Sequence, residues 1–341
     1  MNGSPKLGDV AKAAKLSSAA VSRYLNGSLR LPPETARRID AAVNALGYRP
    51  HLHARSLSRG KSDTIGLLLP EIANPFFSRL AAAVEAAADA RGLGVMLCTS
   101  LNKPHREIDY LAQLRRNLVD GVLFATNHRD DGALARAVNE AASVVLVDED
   151  IEGTDVCKVF CDNERGGGLA AEHLLGFGHT DLAYVGGPHG LMSARARGAG
   201  FAATVREAGG SIAAEYFDGY SCQHGEAATR DILDGHPEVT AIFAGSDEIL
   251  TGMLRVLRDR RKEVGVDISV VTFDDVGPLD LMDPPITAIR QPVEEIGRLA
   301  VERILDGSPG SGIDRLPVSL VSRASVATPR LKTPRRRLAS H

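Results

Sequence analysis

Arg197, within the stretch SARARGAGF, and Gln291, within IRQP, carry long polar side chains suited to gripping a small molecule. Asp148, Ser246 with Asp247, and Asp274 each stand directly behind a short apolar run, and Pro75, Phe76 and Phe77 follow the first such run. Aromatic walls with a few fixed polar groups are what a hydrogen-bonding small-molecule site needs. A guanidinium binds vicinal hydroxyls and carboxylates alike, so Arg197 alone does not choose between a neutral and an anionic ligand. Phe77 suits a core equally well, and Asp247 suits the cap of the helix behind it. Catalysis finds less support. GGPHG and ERGGGLA are glycine-rich, but neither has the order of a dinucleotide or phosphate loop, and GxSxG is absent. Cys98, Cys157, Cys161 and Cys222 form no CxxC pair and lack Cys or His partners at zinc spacing. They read as structural thiols, and no metal or cofactor is expected.

These residues need elements to position them. TIGLLLP, GVMLCTS, GVLFAT, SVVLVDE, KVFCD, LAYVGG, AIFAGS and VVTFDD are too short and too uniformly apolar for a half-exposed sheet and read as buried strands. Helical patterns such as FFSRLAAAVEAAADARG and DEILTGMLRVLRDRR lie between most of them. Repeated alternation implies an α/β fold of parallel sheets covered on both faces, with ligands beyond the carboxyl ends of the strands. Residues 62–329 are enough for two such sheets, hence a two-lobed body.

The first 47 residues read differently. Val10, Ala11 and Ala14 share one helical face, Leu16 and Ser17 interrupt, and Val21 and Leu25 resume at i, i+4. Two short helices joined by a tight turn follow, with Ser17 placed to cap the second. That second helix would present Ser18, Ala19, Ser22 and Arg23. A third helix begins at Pro33, carries Ile39, Val43 and Leu46 inward, and stops before Gly47. Such a small unit is marginally stable alone.

Charge separates the same regions. The 341 residues have a formal net charge of −3, with 44% hydrophobic and 24% charged residues, as in a globular protein of two or three compact units. Residues 1–61 hold eleven lysines and arginines against three acids, and residues 330–341 hold five without an acid. The body between them carries 24 basic against 40 acidic residues. A basic head on an acidic body favours a polyanion partner, because phosphate contacts release counterions. No apolar run approaches the roughly 18 residues of a membrane span. MNGSPKLGDVAKAAK has no apolar signal region, so a cytoplasmic location is expected and a periplasmic carrier is not.

Three stretches carry a resemblance to a known family. DVAKAAKLSSAAVSRYLNG resembles the helix-turn-helix of the LacI/GalR bacterial transcription regulators, LGYRPHLHARSL their hinge, and TIGLLLPEIANPFFSRL the start of their sensor domain. The resemblance implies a helix-turn-helix head at 1–47, a hinge at 48–61, a two-lobed sensor of the periplasmic-binding-protein fold at 62–329, and a basic tail at 330–341. It implies a homodimer on a pseudopalindromic double-stranded operator, a repressor of carbohydrate genes switched by a sugar or sugar acid, the alternatives being a corepressor-dependent regulator of another metabolite class and a sugar-binding protein without a regulatory role. Ser17, Ser18, Ala19, Ala20, Ser22, Arg23 and Asn26 would face DNA. Hinge residues Ala54, Arg55 and Leu57 would enter the minor groove, Leu57 as the wedge. Arg197 and Asp274 match the pair that grips the effector, Tyr220 the aromatic that stacks on a sugar ring, and Gln291 a crossover contact; Ser246 stands where many relatives have Asn. Phe76, Phe77, Asp148 and Asp247 complete the expected effector site. Two caps usual in the family are replaced, by Lys6 and Pro32, so a loosely held head is expected off DNA. His51 and His53 read as exposed histidines near phosphate. The tail TPRRRLASH lacks the leucine heptads of a tetramerising end and reads as a source of nonspecific DNA affinity.

Overall fold

The structure, a computed structural model, describes residues 5–26, 29–48, 61–114, 118–129, 132–141, 143–307 and 312–330. The hinge residues His51, His53, Ala54, Arg55 and Leu57, and the tail from 331 onward, lie outside the described residues. The chain divides into two compact units, one of residues 1–64 with 117–120, the other of 65–116 with 121–341.

In the first unit, α1 (Leu7–Ala14), α2 (Ser18–Leu25) and α3 (Pro33–Leu46) enclose Val10, Ala11, Ala14, Val21, Ile39, Ala42 and Tyr48. The Ser17 hydroxyl accepts the Ala20 N–H at 3.2 Å, the expected cap of α2. At α1 the Lys6 side chain accepts nothing, yet Asp9 in the first turn takes the Lys6 N–H at 2.8 Å. Half of a capping box therefore survives. Pro32 gives α3 no side-chain cap, and Pro33 starts the helix with a φ already suited to it. Arg38 of α3 donates to the Ala14 carbonyl, satisfying the end of α1. Leu46 differs from its expected core place, being 39% exposed. Gly47, at φ 61°, reverses the chain so that the Tyr48 N–H reaches the Val43 carbonyl at 3.0 Å, and the Tyr48 ring closes that end of the core.

The second unit holds two six-stranded sheets. One has β1 (Thr64–Leu69), β2 (Gly94–Thr99), β3 (Gly121–Phe124), β4 (Val144–Val147), β5 (Cys157–Cys161) and β11 (Ile313–Leu316), in the order β11-β5-β4-β3-β1-β2. The other has β6 (Asp181–Gly186), β7 (Ser211–Phe217), β8 (Ala241–Ala244), β9 (Ser269–Phe273), β10 (Thr287–Arg290) and β12 (Ser319–Val321), in the order β12-β10-β9-β8-β6-β7. The central pairs run parallel, as the apolar runs imply, whereas β12 joins β10 antiparallel. GVMLCTS departs from expectation. It forms β2 at the end of its sheet, with Met96 and Leu97 37% and 45% exposed, because an edge strand is covered less than a central one.

Helices α4 (Pro75–Asp89), α5 (Pro104–Leu114) and α6 (Ala133–Glu140) belong to the first lobe; α8 (Met192–Glu207), α9 (Cys222–Gly235) and α10 (Asp247–Asp259) belong to the second. Two helices are exchanged. α7 (Asn163–Gly176) leaves β5 and packs on α8 of the second lobe, and α11 (Val293–Leu305) leaves β10 and packs on α4 of the first. The glycines of ERGGGLA make this possible. A Cβ on Gly167 would collide with the Arg197 carbonyl, and one on Gly200 with the Glu164 carbonyl, so α7 and α8 touch backbone to backbone. That stretch is a packing surface and not a phosphate loop.

Candidate functional site

In the first unit, Ser17, Ser18, Ala19 and Arg23 are exposed along α2, and Ala20, Ser22 and Asn26 are half-buried. Asn26 ends the helix, its amide 3.4 Å from the Ser22 hydroxyl. The small residues at the start of α2 leave its first turn open to a close approach, and the Val21 side chain anchors the opposite face.

In the second unit, the carboxyl ends of both sheets face one cleft. Phe76, Phe77, Asp148, Arg197, Tyr220, Ser246, Asp247, Asp274 and Gln291 all line it. Sequence reasoning missed Glu71, Asn74, Asn127, Ser193 and Glu248, which complete the wall. Phe76 and Phe77 turn out to serve two purposes, being edge-to-face neighbours in the core while presenting part of their surface to the cleft.

Arg197 is buried and fixed on several sides. Its Nε donates to Asn163 Oδ1 at 2.8 Å, its Nη1 donates to the Gly245 carbonyl at 2.8 Å, and its guanidinium lies 3.6 Å from the centre of the Phe273 ring. Nη1 also stands 3.9 Å from Asp274 Oδ2. Asp274 in turn accepts from Gln291 Nε2 at 2.6 Å. Gln291 sits where the chain crosses from β10 to α11, so this pair ties the floor of the cleft to a lobe crossing.

Tyr220 covers Gly187, where a Cβ would strike the ring, and its hydroxyl lies 3.4 Å from the Ser193 Oγ. Burial pushes the Tyr220 phenol up to about 12, which keeps it a neutral donor. Ser246 lines the cleft and also caps α10, accepting the Ile249 N–H at 3.3 Å. Asp247 is therefore the first residue of α10 and not its cap. The Asn74 amide stands beside both Asp247 and Glu248 and favours their charged forms.

Asp148 and Asp274 end β4 and β9 in the left-handed region, at φ 71° and 73°. Non-glycine residues held there are strained and are common at binding sites. Burial pushes Asp148 up to about 7, against the pull of Arg197 and with help from Glu149 and Asp274. Burial likewise pushes Asp247 up to about 7, with Asp274 and Glu248 adding to the effect. Three buried oxygens of the lining lack partners: Asp148 Oδ1, Asp247 Oδ1 and Gln291 Oε1. The Gln291 oxygen is an acceptor, and so are the two carboxyl oxygens once ionised.

Among the described residues no cluster of His, Cys, Asp and Glu has the arrangement of a metal site, and no helix is long and apolar enough to cross a membrane. Residues 6–51 match the model of bacterial regulatory proteins, lacI family, and residues 171–326 that of a periplasmic binding protein-like domain. The chain is 32% identical to the HTH-type transcriptional regulator DegA of Bacillus subtilis, over 85% of this chain and 87% of that protein. It is also 32% identical to the ribose operon repressor of Halalkalibacterium halodurans, over 92% of this chain and 95% of that protein. Among solved structures, the lac repressor dimer bound to operator and the anti-inducer ONPF superposes with a TM-score of 0.84 at 28% identity, covering 95% of this chain and 100% of that one.

Proposed function

This chain belongs to the lacI family of bacterial regulatory proteins, and from that premise we propose that it is a repressor whose hold on its operator is set by a small hydroxyl-rich effector in the cleft. The head reads DNA through Ser17, Ser18, Ala19, Ala20, Ser22, Arg23 and Asn26, with the start of α2 against base edges and Arg23 on phosphate. Ala54, Arg55 and Leu57 of the hinge enter the minor groove, where unstacking a base step is offset by contacts to the bent duplex. The operator is a pseudopalindrome and the working form a homodimer. The apolar edge formed by Met96, Leu97 and Leu101 supports self-association through the first lobe.

The observation that carries the effector reading is the convergence of aromatic and polar side chains from both lobes on one cleft. A ligand bound to both lobes favours one arrangement of them, and a coupling of about 1–3 kcal/mol suffices to change DNA affinity. Phe76, Phe77 and Tyr220 provide ring surface, and Asp148, Arg197, Ser246, Asp247, Asp274 and Gln291 provide hydrogen bonds. Of the two classes expected from sequence, a sugar suits this lining better than a sugar acid. Arg197 is the one cation among the described lining residues, and it is already matched to Asp274.

Selection of duplexes from a random library by the full-length protein tests the DNA half, with one enriched pseudopalindrome as the expected result. Release of that duplex by a sugar tests the effector half. A library that enriches no sequence, with or without sugars present, defeats the reading.

A further inference from the structure

The lining of the cleft is unbalanced in charge. Glu71, Asp148, Asp247, Glu248 and Asp274 face it, and Arg197 is the single described cation among them. Arg197 lies 3.9 Å from Asp274 and also pulls on Asp148, so one cation faces five carboxyl groups in the lining. Asp247 and Glu248 lie side by side in the first turn of α10, and Glu71 comes from the opposite lobe close enough to raise the proton affinity of Glu248. Asn74 satisfies part of this group through its amide, but an amide brings no charge.

A second observation is independent of that cluster. Gln291 is 3% exposed, its Nε2 is committed to Asp274, and its Oε1 has no partner. The commitment of Nε2 to a carboxylate fixes the amide, so the empty valence is an acceptor's. With Asp148 Oδ1 and Asp247 Oδ1, the unpartnered buried atoms in the lining are acceptors once the two carboxyls are ionised, a state that a cationic ligand favours. An unpaired buried polar group is costly, and a charged one more so. A ligand that supplies only donors, one of them charged, removes these penalties together.

We propose that the effector is an aminated sugar, whose ammonium lies against Asp247 and Glu248, with Glu71 on the same side of the cleft, while its hydroxyls meet Asp148, Gln291 and the Arg197–Asp274 pair. This deepens the effector reading above and rests on it. An ammonium offers three donors and a full positive charge, where a hydroxyl in the same place offers one donor. Closing the lobes over an empty cleft brings like charges together in a drier environment; closing them over an ammonium does not. The charge thus supplies the differential affinity that a ligand needs to favour the closed arrangement.

The test uses the full-length chain and matched probes: glucosamine, galactosamine and mannosamine, their neutral parent hexoses, their N-acetyl derivatives, and the corresponding uronic acids. Titration calorimetry near pH 7 is expected to give at least one amine a Kd tenfold or more below its neutral parent, with the N-acetyl and uronic partners weaker still. In Asp247→Asn the ratio of amine to parent should fall toward one, and in Glu248→Gln it should fall partway. A neutral hexose that binds as tightly as its amine, or a uronic acid that binds more tightly, overturns the amine while leaving the sugar reading intact. Failure of every probe to bind at millimolar concentration overturns both.

Discussion

The Glu149 carboxylate accepts the Ser193 hydroxyl at 2.6 Å and the Met192 and Ser193 amides at 2.6 and 3.2 Å. Glu149 follows β4 in the first lobe, and Met192 and Ser193 open α8 in the second. A glutamate from one lobe thus caps a helix of the other, in a place where the helix's own preceding residue, Leu191, has no side chain to do so. Burial raises the proton affinity of Glu149, and the bonds from Ser193, Met192 and Asp150 pull it back toward the charged form. The same Ser193 hydroxyl lies beside Tyr220, so this clasp borders the cleft.

Removing the clasp should loosen the lobes. Glu149→Ala deletes a charge-assisted cap and strands the Ser193 hydroxyl, so urea denaturation should show a loss of about 1–3 kcal/mol. Glu149→Gln keeps an acceptor and should lose less. Effector affinity should drop severalfold in Glu149→Ala, because the ligand must then supply the closure by itself. Unchanged stability in both variants would mean that the clasp carries no weight.

Contact between α7 and α8 gives a second prediction. Gly167→Ala places a methyl against the Arg197 carbonyl, where backbone and not a flexible side chain is in the way. Overpacking of this kind costs about 1–3 kcal/mol, and it moves Arg197, which lines the cleft. Gly176→Ala at the end of α7 meets no atom within 4 Å and serves as the control. Calorimetric unfolding should separate the two variants by several degrees, and effector binding should weaken in the first alone. Equal behaviour of the two would show that the helices part easily.

Much of the cleft was legible because parallel sheets put ligands at strand ends, and the apolar runs marked those ends. Asp148, Ser246, Asp247 and Asp274 were found that way. Asn74, Asn127 and Ser193 sit in loops and first turns, where no periodicity singles out one polar residue, and Glu248 looked like an ordinary first-turn acid. Glu149 had a signal, a second carboxylate directly behind a strand, but its partner in α8 is 44 residues away. The strands β11 and β12 span four and three residues with only partial burial, too little pattern to see. Leu46 had the right spacing for the head's core, and a single glycine turn gave its place to Tyr48.

The head should depend on two small caps. Ser17→Ala removes the acceptor for the Ala20 N–H, and Asp9→Ala removes the acceptor for the Lys6 N–H along with an acid at a helix start. Each should cost the unit about 1 kcal/mol. Hydrogen exchange on the full-length chain would report this as faster exchange of amides in 7–25 with unchanged exchange in β8 and β9. Equal protection in the variants would mean that Arg38 on the Ala14 carbonyl and the buried core suffice without them.

Buried carboxyls set a pH dependence whose sign follows from their direction. Asp148 and Asp247 are pushed up to about 7 by burial, and so is Glu107, which accepts the Ser100 hydroxyl at 3.1 Å and the Thr126 hydroxyl at 2.9 Å. In the unfolded chain these groups lose their protons near 4. Between about pH 4.5 and 7 the folded chain therefore binds more protons than the unfolded one, and its stability falls as pH rises through that window. Glu226, Asp234 and Asp314, each held low by arginine, act the other way only in more acid solution, while His128, His173 and His179, held low by burial, offset part of the carboxyl effect inside the window. Urea denaturation should accordingly give a ligand-free protein more stable at pH 5.5 than at pH 8, by on the order of 2 kcal/mol. Glu107→Gln should flatten part of this slope, because an amide of similar shape pays no cost for ionising in the core. A stability that rises from pH 5.5 to 8 would show that the cleft and the Glu107 site are wetter than their burial indicates.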